Sequence, residues 1–350
     1  MIDHPLYRQD VQQVADISLP WDQLANKSIL ITGASGMIGS FLVDVLMQKN
    51  RSAALNLHVY ALGRSEAHAK SSFGAYWEEP LFTFISHDVN QPMTDLNLGQ
   101  INYVLHLASN THPRAYATDP IGTITANIIG TQNMLEFAVA HQAARFAFAS
   151  SNEIYGENRG DVELFDEDYC GYINSNTLRA GYPESKRAGE ALCQAYKQQK
   201  GLDIVVPRLT RSYGPTMRAS DSKVIAQFIE NGLAKQDIIL KSTGTQDYSF
   251  TYVADAVSGL LTVLIKGQNG EAYNIADPAS NVTLKQLAET IAAFAGTKVV
   301  FDLPGETEKA GFSKATKALL NPRKLEQLGW HAQTNIACGL RHTLQIMAEA

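Results

Sequence analysis

Ser28-Ile-Leu-Ile-Thr32, followed at once by Gly33-Ala-Ser35-Gly36-Met37-Ile38-Gly39, is the stretch on which the fold turns. A short apolar run rich in β-branched residues reads as a buried strand, and Ser40–Gln48 beyond the glycines reads as a helix. Three glycines spaced three apart at such a junction permit a tight turn and let the backbone approach a pyrophosphate. They also seat the helix against the strand, and the helix N-terminus then stabilises the anion. Gly33, Ser35, Gly36, Met37, Ile38 and Gly39 are therefore candidate dinucleotide-binding residues.

The alternation continues outward. Strands are predicted at Leu57–Leu62, Phe82–Ser86, Tyr103–Leu107, Arg145–Ala149 and Asp203–Pro207, with helices at Thr123–His141 and Pro183–Gln199. Short apolar strands alternating with helices mean βαβ units, so the fold class is α/β, a doubly wound parallel sheet. Residues 27–207 form the predicted dinucleotide-binding domain. Residues 208–350 form a smaller α/β lobe, partly interleaved with the first, with helices at Val224–Leu233, Ala254–Ile265, Leu284–Ala295 and Pro322–Leu328. Its predicted strands are Ile238–Leu240, Glu271–Ile275 and Lys298–Phe301. Ahead of the first strand, residues 1–26 carry an amphipathic pattern at Val11, Val14, Ile17 and Leu19, expected to form a helical arm packed on the body.

Composition narrows the function classes. The chain is 45% hydrophobic and 18% charged, with a net charge of −6 and scattered Lys and Arg, which argues against a nucleic-acid face. The start has neither a basic n-region nor an apolar h-region, and no apolar run approaches the ~18 residues of a membrane span, so a cytoplasmic protein is expected. Cys170, Cys193 and Cys338 lack metal or redox spacing and are expected to be buried or inert thiols.

The end of the second strand sets the nicotinamide type: a carboxylate binds the ribose 2′-hydroxyl, an arginine accommodates a 2′-phosphate. Here Gly63 is followed by Arg64 and Ser65, which leans from NAD towards NADP. Asp88 and Val89, ending the third strand, are placed to meet the adenine. Downstream, Tyr182-Pro-Glu-Ser-Lys186 opens a helix, and the i,i+4 spacing puts phenol and ammonium on one face. A nearby cation lowers the phenol's pKa and makes Tyr182 a usable acid/base. Ser151, at a strand end, can hydrogen-bond a substrate hydroxyl and relay its proton; Glu153 offers a second acid/base. Asn127, on the long middle helix, is a candidate for holding a water behind Lys186.

Together these residues resemble the extended short-chain dehydrogenase/reductases, the nucleotide-sugar epimerase/dehydratase family. The likeness rests on the glycine loop, His106-Leu107-Ala108-Ser109, Ser151…Tyr182…Lys186, Arg208-Leu-Thr-Arg211-Ser-Tyr-Gly-Pro215 and Tyr252-Val-Ala-Asp255-Ala. The resemblance implies a Rossmann domain with a nucleotide-sugar lobe, Leu107, Ala108 and Ser109 at the cofactor, and a homodimer built on the helices bearing Asn127 and Tyr182. Within the family, Tyr169-Cys-Gly-Tyr-Ile-Asn174 through Arg179-Ala-Gly-Tyr182 to Arg187 most resembles the UDP-glucuronate decarboxylases. Glucose 4,6-dehydratases carry Thr-Asp-Glu where this chain has Ser151-Asn152-Glu153, and Asn152 cannot serve as their acid.

Three departures set the substrate side apart. The family's Asn in Arg-x-x-Asn-x-Tyr-Gly-Pro is Arg211, and a diphosphate-binding arginine is replaced by Tyr248. Ahead of Leu328-Gly329-Trp330, where decarboxylases place another Arg, only Lys314 and Lys317 lie nearby. Arg211, Arg218 and Lys223 are the candidate diphosphate cations, with Asn152 and Tyr248 also substrate-facing. The reading is a nucleotide-sugar enzyme that oxidises C4 transiently, as epimerase or decarboxylase, with Glu153 separating the outcomes. The alternatives are a net NADP-dependent reductase and a non-catalytic dinucleotide-binding scaffold.

Overall fold

The computed structural model describes residues 1–94, 98–111, 113–218, 220–302 and 316–349. Its centre is a parallel sheet of β1 (Ser28–Thr32), β2 (His58–Gly63), β3 (Phe82–Ser86), β4 (Tyr103–His106), β5 (Arg145–Phe148), β7 (Ile204–Leu209) and β11 (Ala272–Ile275). The spatial order is β3-β2-β1-β4-β5-β7-β11, and the two-residue β6 (Ser150–Ser151) also pairs with β7. The expected doubly wound α/β class is borne out. Every residue of β1 is buried, because a parallel sheet is covered on both faces. Ile29 and Ile31 pack on one side with helix α2 (Met37–Ala53). Leu30 packs on the other with α5 (Pro120–Ala140) and α6 (Gly181–Lys200). Strand order reverses between β1 and β4, and the crevice above that point is where an open α/β sheet takes its ligand.

After β7 the chain leaves this sheet and comes back to it. Helix α8 (Val253–Lys266) is almost wholly buried, and β11 pairs with β7 in parallel register from Ala272↔Val206 to Ile275↔Leu209. Apart from it, β10 (Asp247–Tyr252) lies antiparallel to β12 (Asn281–Thr283) and parallel to β8 (Arg211–Tyr213) and β14 (Lys317–Ala318). A small parallel pair joins β9 (Ile238–Leu240) and β13 (Val299–Phe301). The sequence reading has no strand at β10, and the reason is physical. Its alternate residues Ser249 and Thr251 are buried like Phe250 and Tyr252, with their hydroxyls bonded to Asn281 and Thr210, so the polar face does not mark a solvent side. The C-terminal helix Ile336–Glu349 likewise lies beyond the elements that the sequence reading predicts.

The N-terminal helix α1 (Pro5–Ala15) is part of the core. His4 caps it and Pro5 opens it, where a missing N–H costs nothing. The helix stops at Ala15, so Ile17 and Leu19 are half-buried loop residues and not the end of a helical stripe. Two buried polar contacts tie the helix down. Tyr7 donates to Asp44 of α2 at 2.5 Å, and Asp10 accepts from Tyr252 at 2.5 Å while facing His342 Nδ1 at 3.0 Å. Replacing Asp10 by Ala strands a buried phenol and a histidine, each costing about 1–3 kcal/mol. Urea denaturation of Asp10→Ala should therefore show a lower midpoint with unchanged slope, a loss of about 2–6 kcal/mol.

Candidate active site

The glycine loop sits at the β1–β4 reversal as its sequence requires. Gly33 has φ +65°, and a Cβ there would lie 2.9 Å from the backbone of Ala108 at the end of β4. A Cβ on Gly39 would meet the carbonyl oxygens of Gly33 and Ala34 at 2.6 Å. Only glycine lets strand, loop and helix close to this distance. Gly36 is the N-cap of α2 and offers no side-chain cap, which leaves the helix's first N–H groups for an anion.

A cavity of about 1340 Å³ opens from this loop. It exceeds the usual few hundred to ~1,000 Å³ of a single small-ligand site, which suits a dinucleotide together with a second molecule. The candidate catalytic, dinucleotide-binding and substrate-facing residues line it, with the exception of Asn127. Lys314 lies outside the described residues, and Lys317 opens β14, opposite Asp247 of β10.

Tyr182 and Lys186 occupy the first turns of α6 and are both buried. The Lys186 ammonium donates to the Ala149 carbonyl at 2.8 Å and lies 4.7 Å over the Phe148 ring. Burial pushes its pKa down to about 7. Burial and the Glu153 charge push the Tyr182 phenol up, while a hydrogen bond with Ser151 and the charge of Arg179 pull it back. The lowering expected from Lys186 is not found: the phenol stands above its ordinary value, and the groups that oppose the rise are Ser151 and Arg179. A desolvated ammonium engaged with a backbone carbonyl is a weak electrostatic partner for a desolvated phenol.

Among the described residues Asn127 and Lys186 share no direct hydrogen bond. Its amide oxygen accepts from Ser109 at 2.7 Å and its nitrogen donates to Ser185 at 2.9 Å; Ser185 in turn donates to the Tyr182 carbonyl at 2.9 Å. The residue braces the turn that carries the tyrosine against the strand-end loop.

Glu153 is not a free carboxylate. It pairs with Arg179 at 2.8 Å, and Arg179 lies 5.0 Å over Tyr116, which stacks on Tyr182 at 4.9 Å and 24°. Sequence reasoning gave neither Arg179 nor Tyr116 a role. Arg179, three residues before Tyr182, carried a usable signal; Tyr116, on the short helix α4 (Pro113–Thr118), carried none.

The three cations expected on one diphosphate are dispersed. Arg211 stacks on the Tyr248 ring at 3.7 Å, Lys223 pairs with Asp221 at 2.8 Å, and Arg218 donates to the Ser35 carbonyl at 2.9 Å, close enough to Arg64 for their charges to repel. Arg218 therefore belongs to the glycine-loop end of the cavity. Asp88 caps its own turn by accepting from Asn90 N at 3.0 Å, Val89 is buried, and Asn152 is buried at the start of the turn after β6. Of the thiols, all free, Cys193 is buried, Cys338 half-buried and Cys170 exposed, so burial accounts for one of the three.

Comparison with known proteins follows the same lines. The model of the NAD dependent epimerase/dehydratase family matches residues 29–276. UDP-glucuronic acid decarboxylase 6 of Arabidopsis thaliana is 33% identical over 322 residues, covering 90% of this chain and 87% of its own. UDP-glucuronic acid decarboxylase 1 of Danio rerio is 31% identical, covering 91% and 72%. Among solved structures, UDP-glucose 4-epimerase of Thermotoga maritima, in complex with UDP-glucose, superimposes with a TM-score of 0.79 at 24% identity, covering 92% of this chain and 99% of its own. The dTDP-glucose 4,6-dehydratase of Streptomyces venezuelae with NAD bound reaches 0.80 at 24%, covering 92% and 97%. At that identity the structural likeness speaks for the fold. Among the described residues no helix is long and apolar enough to cross a membrane. The resemblance read from the residues is borne out, and the chain is an enzyme belonging to the NAD dependent epimerase/dehydratase family.

Proposed function

We propose that the protein binds a nucleoside-diphosphate sugar beside a nicotinamide dinucleotide and transiently oxidises the sugar at C4. The observation that carries this reading is the joint placement of Ser151, Tyr182 and Lys186 in one cavity with the Gly33–Gly39 loop. The relatives' names supply the substrate class, including UDP-glucuronic acid. The body built on residues 27–207, with β11 added, holds the dinucleotide; the rest of 208–350 meets the sugar nucleotide.

The loop fits the dinucleotide, because the space that a Cβ would fill at Gly33 and Gly39 is taken by backbone and the α2 N-terminus is uncapped. When bound, the oxidised nicotinamide supplies the hydride acceptor and a positive charge. Tyr182 takes the proton of the C4 hydroxyl, and Ser151, bonded to the phenol, orients that hydroxyl. Arg179 favours the phenolate electrostatically, and Asn127 with Ser185 holds the turn. The resulting C4 ketone acidifies the adjacent carbon. Rotation and reduction on the other face then gives epimerisation, and loss of a β-carboxylate gives decarboxylation.

A net reductase using NADPH is the second reading, favoured by the end of β2. No carboxylate follows Gly63 there, Glu66 is engaged by Lys70 at 2.7 Å, and Arg64, Ser65 and Arg218 are the polar groups at hand. The exposed apolar residues Ile121, Ile124 and Ile129 of α5, with Leu178, support a homodimer through α5 and α6. Three thiols without disulfides suit a cytoplasmic setting.

Incubation with UDP-, dTDP-, CDP- and GDP-sugars plus NAD or NADP, read by mass spectrometry, tests the reaction. Loss of carbon dioxide, an isomer of unchanged mass, or a gain of two hydrogens identifies the outcome; no conversion of any sugar sinks the proposal. Tyr182→Phe should lower kcat about 10²–10⁴-fold while leaving dinucleotide affinity intact. Arg64→Ala should weaken NADPH roughly tenfold or more and leave NADH unchanged, as measured by fluorescence titration. Lys186 loses protons in the folded chain near pH 7 and in the unfolded chain near 10.5, so its contribution to stability grows as pH rises between these values. Relative to Lys186→Met, wild type should gain about 2 kcal/mol in urea denaturation from pH 7 to pH 9.

A further inference from the structure

Arg211 stands on β8 with its guanidinium over the Tyr248 ring, and burial disfavours its charge. Among the described residues no carboxylate pairs with it alone. The acid acting on it is Glu153, already paired with Arg179 at 2.8 Å, and among the described residues the Nη1 atoms of both Arg211 and Arg179 are buried without a hydrogen-bond partner. Two guanidinium groups and one carboxylate leave one positive charge in a poorly solvated corner beside Tyr182. A buried cation of this kind is costly unless an anion completes it.

The corner points to the sugar and not to the diphosphate. The groups coupled to Arg211 are Tyr248, Glu153, Arg179 and Tyr116, and the last three surround Tyr182. A single negative charge balances the cluster; a diphosphate would over-fill it and press on Glu153. A guanidinium fork held flat on an aromatic ring matches the planar geometry of a carboxylate. The two departures at 211 and 248 are thus one exchange between neighbouring strands. β8 and β10 pair with Arg211 opposite Phe250, so the cation now enters from β8 and the tyrosine on β10 becomes its platform.

We propose that Arg211, flanked by Arg179, is the subsite for a carboxylate carried by the sugar, so that the substrate is a nucleotide-linked acidic sugar selected by Arg211. This rests on the nucleotide-sugar reading above.

The test uses the protein saturated with nicotinamide dinucleotide and three probes: UDP, UDP-glucose and UDP-glucuronate, the two sugars differing at C6. Calorimetry on wild type should show UDP-glucuronate bound about 10–100-fold tighter than UDP-glucose, the range of a charge-assisted pair. Arg211→Gln should erase that preference and leave UDP affinity within about twofold. Arg211→Lys keeps the charge, loses the fork, and should retain a reduced preference; it serves if the Gln variant does not fold. Equal affinities of wild type for the two sugars, absence of binding included, overturn the subsite. So does an equal loss of UDP affinity in the variants, which would make Arg211 a diphosphate ligand. Nicotinamide absorbance on adding each sugar separates the two claims. Oxidation of both sugars without preference sinks only the subsite, whereas selective binding without reduction of the cofactor sinks only the C4 chemistry.

Discussion

The structure depends on a backbone approach that no side chain permits. Gly33 crosses the end of β4 so closely that a Cβ would lie 2.9 Å from Ala108, and Gly39 brings α2 against the same turn. That closeness lets the uncapped N-terminus of α2 look into the gap where strand order reverses. The large cavity, the placement of Ser109 and Ser151 at neighbouring strand ends, and the entry of α6 from the same side follow from it. A doubly wound sheet places its strand ends in one crevice, so residues over a hundred positions apart converge there.

Convergence brings desolvation, and desolvation governs the chemistry. The phenol of Tyr182 and the ammonium of Lys186 are both driven towards their neutral forms by burial. What opposes this at the phenol is local: the Ser151 hydroxyl and the Arg179 charge. The proposed catalytic pair is therefore better described as part of a small network, Ser151, Tyr182, Arg179, Glu153 and Tyr116, with Asn127 and Ser185 bonded behind it. Burial also explains why Arg211 stands out: in an exposed position its missing counter-ion would mean nothing, and in this corner it is a demand for one.

The two halves of the chain are bound together by the same kind of buried polar contact. Asp10 from the N-terminal helix holds Tyr252 at the end of β10 and faces His342 of the last helix, while Thr216 and Arg218 reach across to carbonyls of the glycine loop. The glycine loop and the strands of the second half are thereby tied to each other.

The sequence by itself determined the sheet, the glycine turn and the choice of Ser151, Tyr182 and Lys186 as candidate residues that share one cavity. These rest on local signals: apolar runs of strand length, glycines at a junction, and i,i+4 spacing on a helix. The family follows from the order of those motifs. The tertiary structure alone decided the partners. Glu153 is bound to Arg179, Asn127 is bonded to Ser109 and Ser185, Arg218 reaches the glycine loop, and Arg211 rests on Tyr248. It also decided β10, whose buried Ser249 and Thr251 hide the strand's alternation. Where a long flexible side chain ends, and whether a charge is left without a partner, depends on which strand lies beside it. That neighbour is set by strand order, not by distance along the chain.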